Sequence, residues 1–461
     1  MARSHTITGW DPEDRAAWDA GGEGIAKRNL AWSVAAEHVG FSVWSLWSVM
    51  VLFMPESVYH LNAGDKFLIA ATATLVGSVL RLPYTMATAR FGGRNWTVFS
   101  ACVLIVPVVA TIVILANPGQ PLWVYLLCAA LTGLGGGNFA SSMTNINAFF
   151  PQRLKGWALG LNAGGGNIGV PAVQLVGLLV IAVAGNREPY WVCVFYVVAL
   201  TVAAIGARRY MNNLDIVSVD TASMKAALRH RHTWLVSLLY IGTFGSFIGF
   251  SFAFGQVLQI SFTDGGQTAA QASLHAAQIA FIGPLLGSVA RVYGGKFADR
   301  IGGGRVTLWA FAGMIGGAGI LAVTATIAGR NTTAAAMALY VLGFVLLFLL
   351  SGIGNGSVYK MIPSIFEAAS RSLDVDEKTR ADYSRAMSGA VIGIAGAVGG
   401  LGGVAINLVL RASYLANGTA TVAFWAFGAF YVIAALVTWR VYVRLPQTAA
   451  AESAVPAAAR G

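Results

Sequence analysis

Charge is what this sequence has least of. Of 461 residues only 11% are Asp, Glu, Lys or Arg, less than half of the roughly 25% that a soluble chain carries. Acidic side chains are the rarer sign, 19 against 30 basic ones. Cysteine occurs three times, at Cys102, Cys128 and Cys193, each inside an apolar run and without C-x-x-C spacing. That pattern argues against a disulfide framework and a thiolate metal centre. The six histidines are scattered, so the chain assembles no nucleophile, base or metal constellation of the kind a membrane-embedded enzyme needs. The first 28 residues are polar and mixed in charge, so no cleavable signal peptide is expected.

What fills the chain is hydrocarbon: 56% of residues are hydrophobic and the mean hydropathy is +0.67. The apolar residues gather into twelve runs, at about 30–54, 66–89, 97–116, 121–143, 156–185, 190–207, 233–260, 274–298, 306–328, 334–358, 386–410 and 419–443. Each is long enough to cross a hydrocarbon core of about 30 Å. The expected fold is an all-α membrane protein of twelve transmembrane helices. The net charge of +11 then needs no nucleic-acid partner. Basic residues collect in the even-numbered connections, among them Arg90, Arg94, Arg153, Lys155, Arg208, Arg209, Arg300, Arg305 and Arg380. That alternation predicts both termini in the cytoplasm of a cytoplasmic-membrane protein. The predicted organisation is a cytoplasmic N-terminal segment 1–29, a six-helix half 30–207, a linker 208–232, a second half 233–444 and a disordered tail 445–461.

The halves repeat. Gly77-Ser78-Val79-Leu80-Arg81 returns 210 residues later as Gly287-Ser288-Val289-Ala290-Arg291, and Gly92-Gly93 as Gly302-Gly303. Gly137-Asn138 likewise matches Gly354-Asn355. Two homologous halves joined by a central loop suit a transporter that holds its substrate near the midplane and alternates access to it.

The densest stretch, Gly133 to Val170, sets glycines (Gly136, Gly137, Gly164, Gly165) and asparagines (Asn138, Asn167) inside apolar helices. A phosphate-cradling loop would need a preceding strand and a following Lys or Ser/Thr, and neither is present. Tight helix packing is the favoured reading. Only three charges lie deep in the apolar runs: Glu37, Arg81 and Arg291. Each arginine precedes a cytoplasmic arginine by nine residues, about 13 Å along a helix. A buried Arg costs at least ~2.5 kcal/mol, and the symmetric placement favours one anion shared by the two guanidiniums. Their planar paired donors match carboxylate, nitrate or nitrite, and the residues alone go no further.

At these positions the sequence resembles the nitrate/nitrite porters of the major facilitator superfamily, over nearly the whole chain from Trp32 to Arg444. The segments carrying the resemblance are Gly135–Asn147 with Ala158–Val170 and Gly352–Ser357, which look like that family's paired nitrate signatures. The resemblance implies that Arg81 and Arg291 clamp the anion, with Phe139, Asn167 and Tyr240 completing the site. It also implies nitrate and nitrite as substrates, no cofactor, no metal and no obligate partner beyond membrane lipid, with a monomer as the default. Gly294 to Gly302 resembles the superfamily's cytoplasmic loop motif, in which Asp299 bonds across to a neighbouring helix and holds a gating state. Ala89 takes its place in the first half, so the matching gate there is expected to be made differently.

Glu37, with His38 beside it, supports two readings: a proton carrier for nitrate/H⁺ symport, or a structural partner for Arg81 or for helix contacts, leaving nitrate/nitrite antiport. Import for respiration, import for assimilation and nitrite export would use the same core. A transporter of another small monoanion, such as a monocarboxylate, is the alternative. A non-transporting nitrate sensor would need an output domain, for which the tail is too small.

Overall fold

A computed structural model describes residues 5–185, 188–215, 221–329 and 332–444. The expected disordered tail lies outside the described residues.

Eleven helices are long and apolar enough to cross a membrane, and a bent pair makes up to twelve. In order, the spans are Arg15–Phe53, the pair Ala63–Val79 with Arg81–Phe91, Gly93–Ala116, Leu122–Phe149, Arg153–Ala184, Tyr190–Tyr210, Arg231–Asp264, Ala269–Ile301, Gly303–Ala328, Ala334–Ser370, Glu377–Asn417 and Thr421–Val443. They are called first to twelfth below. The all-α, twelve-span architecture expected from hydropathy is therefore the one observed. Several helices outrun their apolar runs. The tenth and eleventh are 37 and 41 residues long, against about 20 needed to span. Hydropathy marks only the part in lipid, whereas Ala, Glu, Lys and Arg propagate helix beyond it.

Three breaks matter for the site. The second span bends by 41° between Val79 and Arg81. Pro83, lacking an N–H and clashing with the carbonyl four residues back, cannot continue the hydrogen-bond ladder there. The fourth span passes through a 3₁₀ turn at Gly133–Gly137, and the seventh through a π turn at Ile241–Gly245.

The chain divides into two compact units. One comprises Met1–Val219 with Ser251–Leu285, the other Asp220–Phe250 with Leu286–Gly461. In the first unit, glycines set the helix spacing. A Cβ on Gly165, Gly166 or Gly169 of the fifth span would strike Val34, Glu37 or the His38 carbonyl of the first. One on Gly136 would strike Gly77 and Trp44. The segment 251–285, which by sequence lies within the second half, falls in this unit. The first span ends in a 3₁₀ turn, Val51–Phe53, which leaves terminal carbonyls without helical partners. The Leu52 carbonyl accepts from Gln259 Nε2 at 3.0 Å and Ser273 Oγ at 2.7 Å. Gln256 Nε2 donates to the Ala63 carbonyl at 2.9 Å, and Gln174 Nε2 to that of Ser251 at 2.9 Å.

The N-terminal segment, expected only to be polar and cytoplasmic, is folded onto its unit. Strand β1, Thr6–Ile7, pairs in parallel with β2, Asn213–Leu214. Trp10 packs on Phe149 and Trp18 on Phe150, with ring centroids 5.5 and 5.8 Å apart. These join Leu30, Ile146 and Leu214 in one apolar cluster. The aromatic residues scattered through the polar N-terminus thus bury where the fourth span ends and the fifth begins.

In the second unit the same glycine logic recurs. Gly287 and Gly352 meet backbone to backbone, as do Gly245 and Gly402, and a Cβ on Gly356 would strike the Arg291 carbonyl. Gly92 and Gly302, paired by the repeat, both take positive φ, +84° and +90°, which only glycine adopts at little cost. They turn the chain into the third and ninth spans.

Candidate functional site

Arg81 opens the lower piece of the broken second span and is 1% exposed. Its guanidinium lies 4.9 Å from the Phe139 ring centre and 5.7 Å from that of Trp44. Phe139 is delivered by the helix that follows the 3₁₀ turn, where Gly136 and Gly137 press against Trp44 and Tyr84. Trp44 is fixed by donating its indole N–H to the Ala73 carbonyl at 2.8 Å, and Phe41 packs edge-on against it at 5.1 Å. A cation between aromatic faces away from water is held by the ring quadrupoles, worth about 2 kcal/mol or more when desolvated.

Arg291 occupies the repeat-related place in the second unit and is 9% exposed. Its Nη2 makes a long contact of 3.5 Å with the Tyr240 hydroxyl, and its guanidinium lies 5.2 Å from the Tyr359 ring. Tyr240 stands directly before the π turn, stacks on Phe244 at 5.1 Å and 10°, and meets Tyr359 at 4.9 Å. The two arginines therefore differ in setting. Arg81 sits at a helix break, whereas the helix Ile282–Ile301 runs unbroken through Arg291.

The signature asparagines are buried amides. Asn167 is fully buried, and its Oδ1 and Nδ2 find no hydrogen-bond partner among the described residues; the same holds for Asn355 at 1% exposure. Asn138 fills the notch beside Gly40. Gly165 packs tightly, as above, whereas a Cβ on Gly164 would meet nothing within 4 Å, and one on Gly354 would strike Thr243.

Glu37 is 1% exposed and held by donors. Its Oε2 accepts from Ser142 Oγ and from Asn162 Nδ2, the latter at 2.7 Å, and Asn162 Nδ2 also reaches Ser142 Oγ at 2.7 Å. The carboxylate thus ties the first span to the fourth and fifth. His38 Nδ1 lies 3.1 Å from the Gly165 carbonyl, a further link to the fifth span.

Asp299 bonds to Lys360 of the tenth span at 3.0 Å, both half exposed. In the first unit, where Ala89 replaces it, the turn is fastened by other atoms. Arg94 donates twice to the Arg208 carbonyl, at 3.0 and 2.6 Å, and Asn213 Oδ1 accepts from the Asn95 N–H at 3.3 Å. Among the described residues no group of three or more His, Cys, Asp or Glu is placed to hold a metal.

The structure thus brings Arg81 together with Phe139 in one unit and Arg291 with Tyr240 in the other. Sequence reasoning passed over Trp44 and Tyr359. The available signal was helical register: Tyr359 stands four residues after Asn355, and Trp44 seven after Glu37, each on the same face as its polar neighbour.

Residues 38–381 match the model of the Major Facilitator Superfamily. The chain is 35% identical to the nitrate/nitrite transporter NarU of Salmonella typhimurium, over 95% of this chain and 96% of that one. It is 31% identical to the probable nitrate/nitrite antiporter NarK2 of Thermus thermophilus, over 96% and 98%. The crystal structure of a mutant of the nucleoside transporter NupG covers 90% of this chain and 100% of its own with a TM-score of 0.61 at 12% identity, a likeness of fold. With buried arginines on aromatic rings in repeat-related positions and full-length relatives of this kind, the chain belongs to the Major Facilitator Superfamily and, within it, to the family of the nitrate/nitrite transporters.

Proposed function

We propose that this protein carries nitrate and nitrite across the cytoplasmic membrane by alternating access, as a monomer with both termini in the cytoplasm. The observation that carries the reading is the buried guanidinium of Arg81 held on aromatic faces, repeated by Arg291 against Tyr240 and Tyr359. Planar donors pair with planar oxyanions, and the aromatic rings beside each guanidinium suit a flat ion. Asn167 supplies a buried amide whose Nδ2 can donate to a substrate oxygen, since an unmet buried donor costs about 1–3 kcal/mol. The names of the NarU and NarK2 relatives point the same way. Basic residues in the even-numbered connections support the orientation.

For coupling, the reading is nitrate-for-nitrite exchange, with Glu37 as a packing element. Its engagement by Ser142 and Asn162, in a notch that only Gly166 leaves open, supports this. The test is nitrate uptake into proteoliposomes loaded with nitrite or with buffer alone, with and without an inward proton gradient. Uptake that requires internal nitrite, ignores the gradient and keeps its pH profile in Glu37→Gln is the expected result. Gradient-driven uptake into empty vesicles that Glu37→Gln abolishes would replace exchange by proton symport. No nitrate uptake under either condition would turn the assignment to a monocarboxylate.

A further inference from the structure

The first and sixth spans leave between them an open groove of about 260 Å³, lined by Trp32, Ala35 and Val39 on one side and by residues including Phe195, Val198 and Val202 on the other. Its walls are almost wholly hydrocarbon, and Phe195, Val198 and Val202 are more than half exposed. On membrane-crossing helices that exposure is to lipid. The faces that line it do not stop where the apolar residues stop. At 3.6 residues per turn, Arg28 shares the face of Trp32, Ala35 and Val39, and Arg209 shares that of Phe195, Val198 and Val202. Both arginines therefore stand at one end of the same groove, the end that the proposed orientation puts at the cytoplasm. They are joined to it by ring stacking: Arg209 lies 5.8 Å from the Tyr210 ring, and Tyr210 stacks on Trp32 at 5.4 Å and 9°.

The two cations differ in occupation. Arg28 is engaged by the Tyr210 carbonyl and Asn212 Oδ1, at 2.9 and 3.0 Å. Arg209 is exposed and makes no ion pair among the described residues. From Arg209 to Phe195 the helix rises roughly 21 Å, the depth of one leaflet with its headgroup.

We infer that this groove is a specific site for an anionic phospholipid of the cytoplasmic leaflet, its phosphate on Arg209 and one acyl chain lying along Trp32, Val39, Val198 and Phe195. An apolar channel closed by a cation at headgroup depth fits that amphiphile at both ends. A zwitterionic lipid would fill the channel but bring its own cation to Arg209, and a partner helix would leave Arg209 without an anion.

The test places the full-length protein in phosphatidylcholine vesicles doped with photoactivatable phosphatidylglycerol or, separately, photoactivatable phosphatidylcholine, and maps the labelled peptides. Phosphatidylglycerol should label 32–39 and 195–203 about fivefold more than phosphatidylcholine, the worth of one basic residue near an anionic surface. Arg209→Gln should remove that preference. Val198→Trp, which fills the groove, should abolish labelling there by both lipids while the protein still elutes as a single species. Equal labelling by the two lipids, a preference that survives Arg209→Gln, or cross-links joining two copies through these residues would each overturn the assignment. The readout is independent of transport, so its failure and that of the nitrate reading are distinguishable.

Discussion

A guanidinium flattened against an aromatic ring does two things an ammonium cannot. It stacks through its plane while its edge stays free to donate in pairs. The Arg81 guanidinium lies 4.9 Å from the Phe139 ring centre and 5.7 Å from that of Trp44. Arg81→Lys keeps the charge and loses the plane, so KM for nitrate should rise about tenfold, the loss of one charge-assisted hydrogen bond. An unchanged KM in proteoliposome uptake would remove Arg81 from the substrate site. Both arginines were legible in the sequence because a charge inside an apolar run has nothing to hide behind. Trp44 and Tyr359 were legible only through helical register, which puts each on the face of a polar neighbour. In a chain that is 11% aromatic, hydropathy gives no reason to choose one ring over another, and the choice is made by helices remote in sequence.

At the scale of the helix pair, glycine content was legible and glycine duty was not. The run Gly164-Gly165-Gly166 reads as a single packing motif. Helical register divides it, because Gly165 and Gly166 face the first span while Gly164 faces open space. Gly166→Ala would drive a methyl into Glu37 Oε1, an overpacking worth about 1–3 kcal/mol. It should lower the thermal unfolding midpoint in detergent. Gly164→Ala should change stability by no more than about 0.5 kcal/mol. Equal effects from the two would mean that the first and fifth spans do not meet as described. The repeat was also a good guide to the turns at Gly92 and Gly302, and a poor one to what fastens them. The carboxylate of the second unit is replaced in the first by a carbonyl from Arg208 and an amide from Asn213, which no alignment of the halves can supply.

For the molecule as a whole, twelve spans followed from hydropathy. Segment 251–285 lies within the second half in sequence and falls in the first compact unit, where the carbonyl of Leu52, left over where the first span ends, finds donors in Gln259 and Ser273. If this seam opens during transport, its hydrogen bonds set how often. Gln256→Ala with Gln259→Ala removes two of them, about 2 kcal/mol together. A cysteine placed at Leu52 in that background should react with a membrane-impermeant thiol reagent at least about tenfold faster. Unaltered labelling would mean the seam is held by apolar packing alone.

The pairing of Thr6–Ile7 with Asn213–Leu214 also sets a clock. The amino terminus leaves the ribosome first, yet its strand has no partner until the sixth span has been made. At about 5–20 residues per second that delay is roughly 10–40 s. Through it Trp10 and Trp18 wait beside a growing bundle, and they find their full apolar surroundings when Leu214 arrives. The strand made at the start is therefore seated only after six spans have been synthesised, ahead of the segment 251–285 that joins the same unit later.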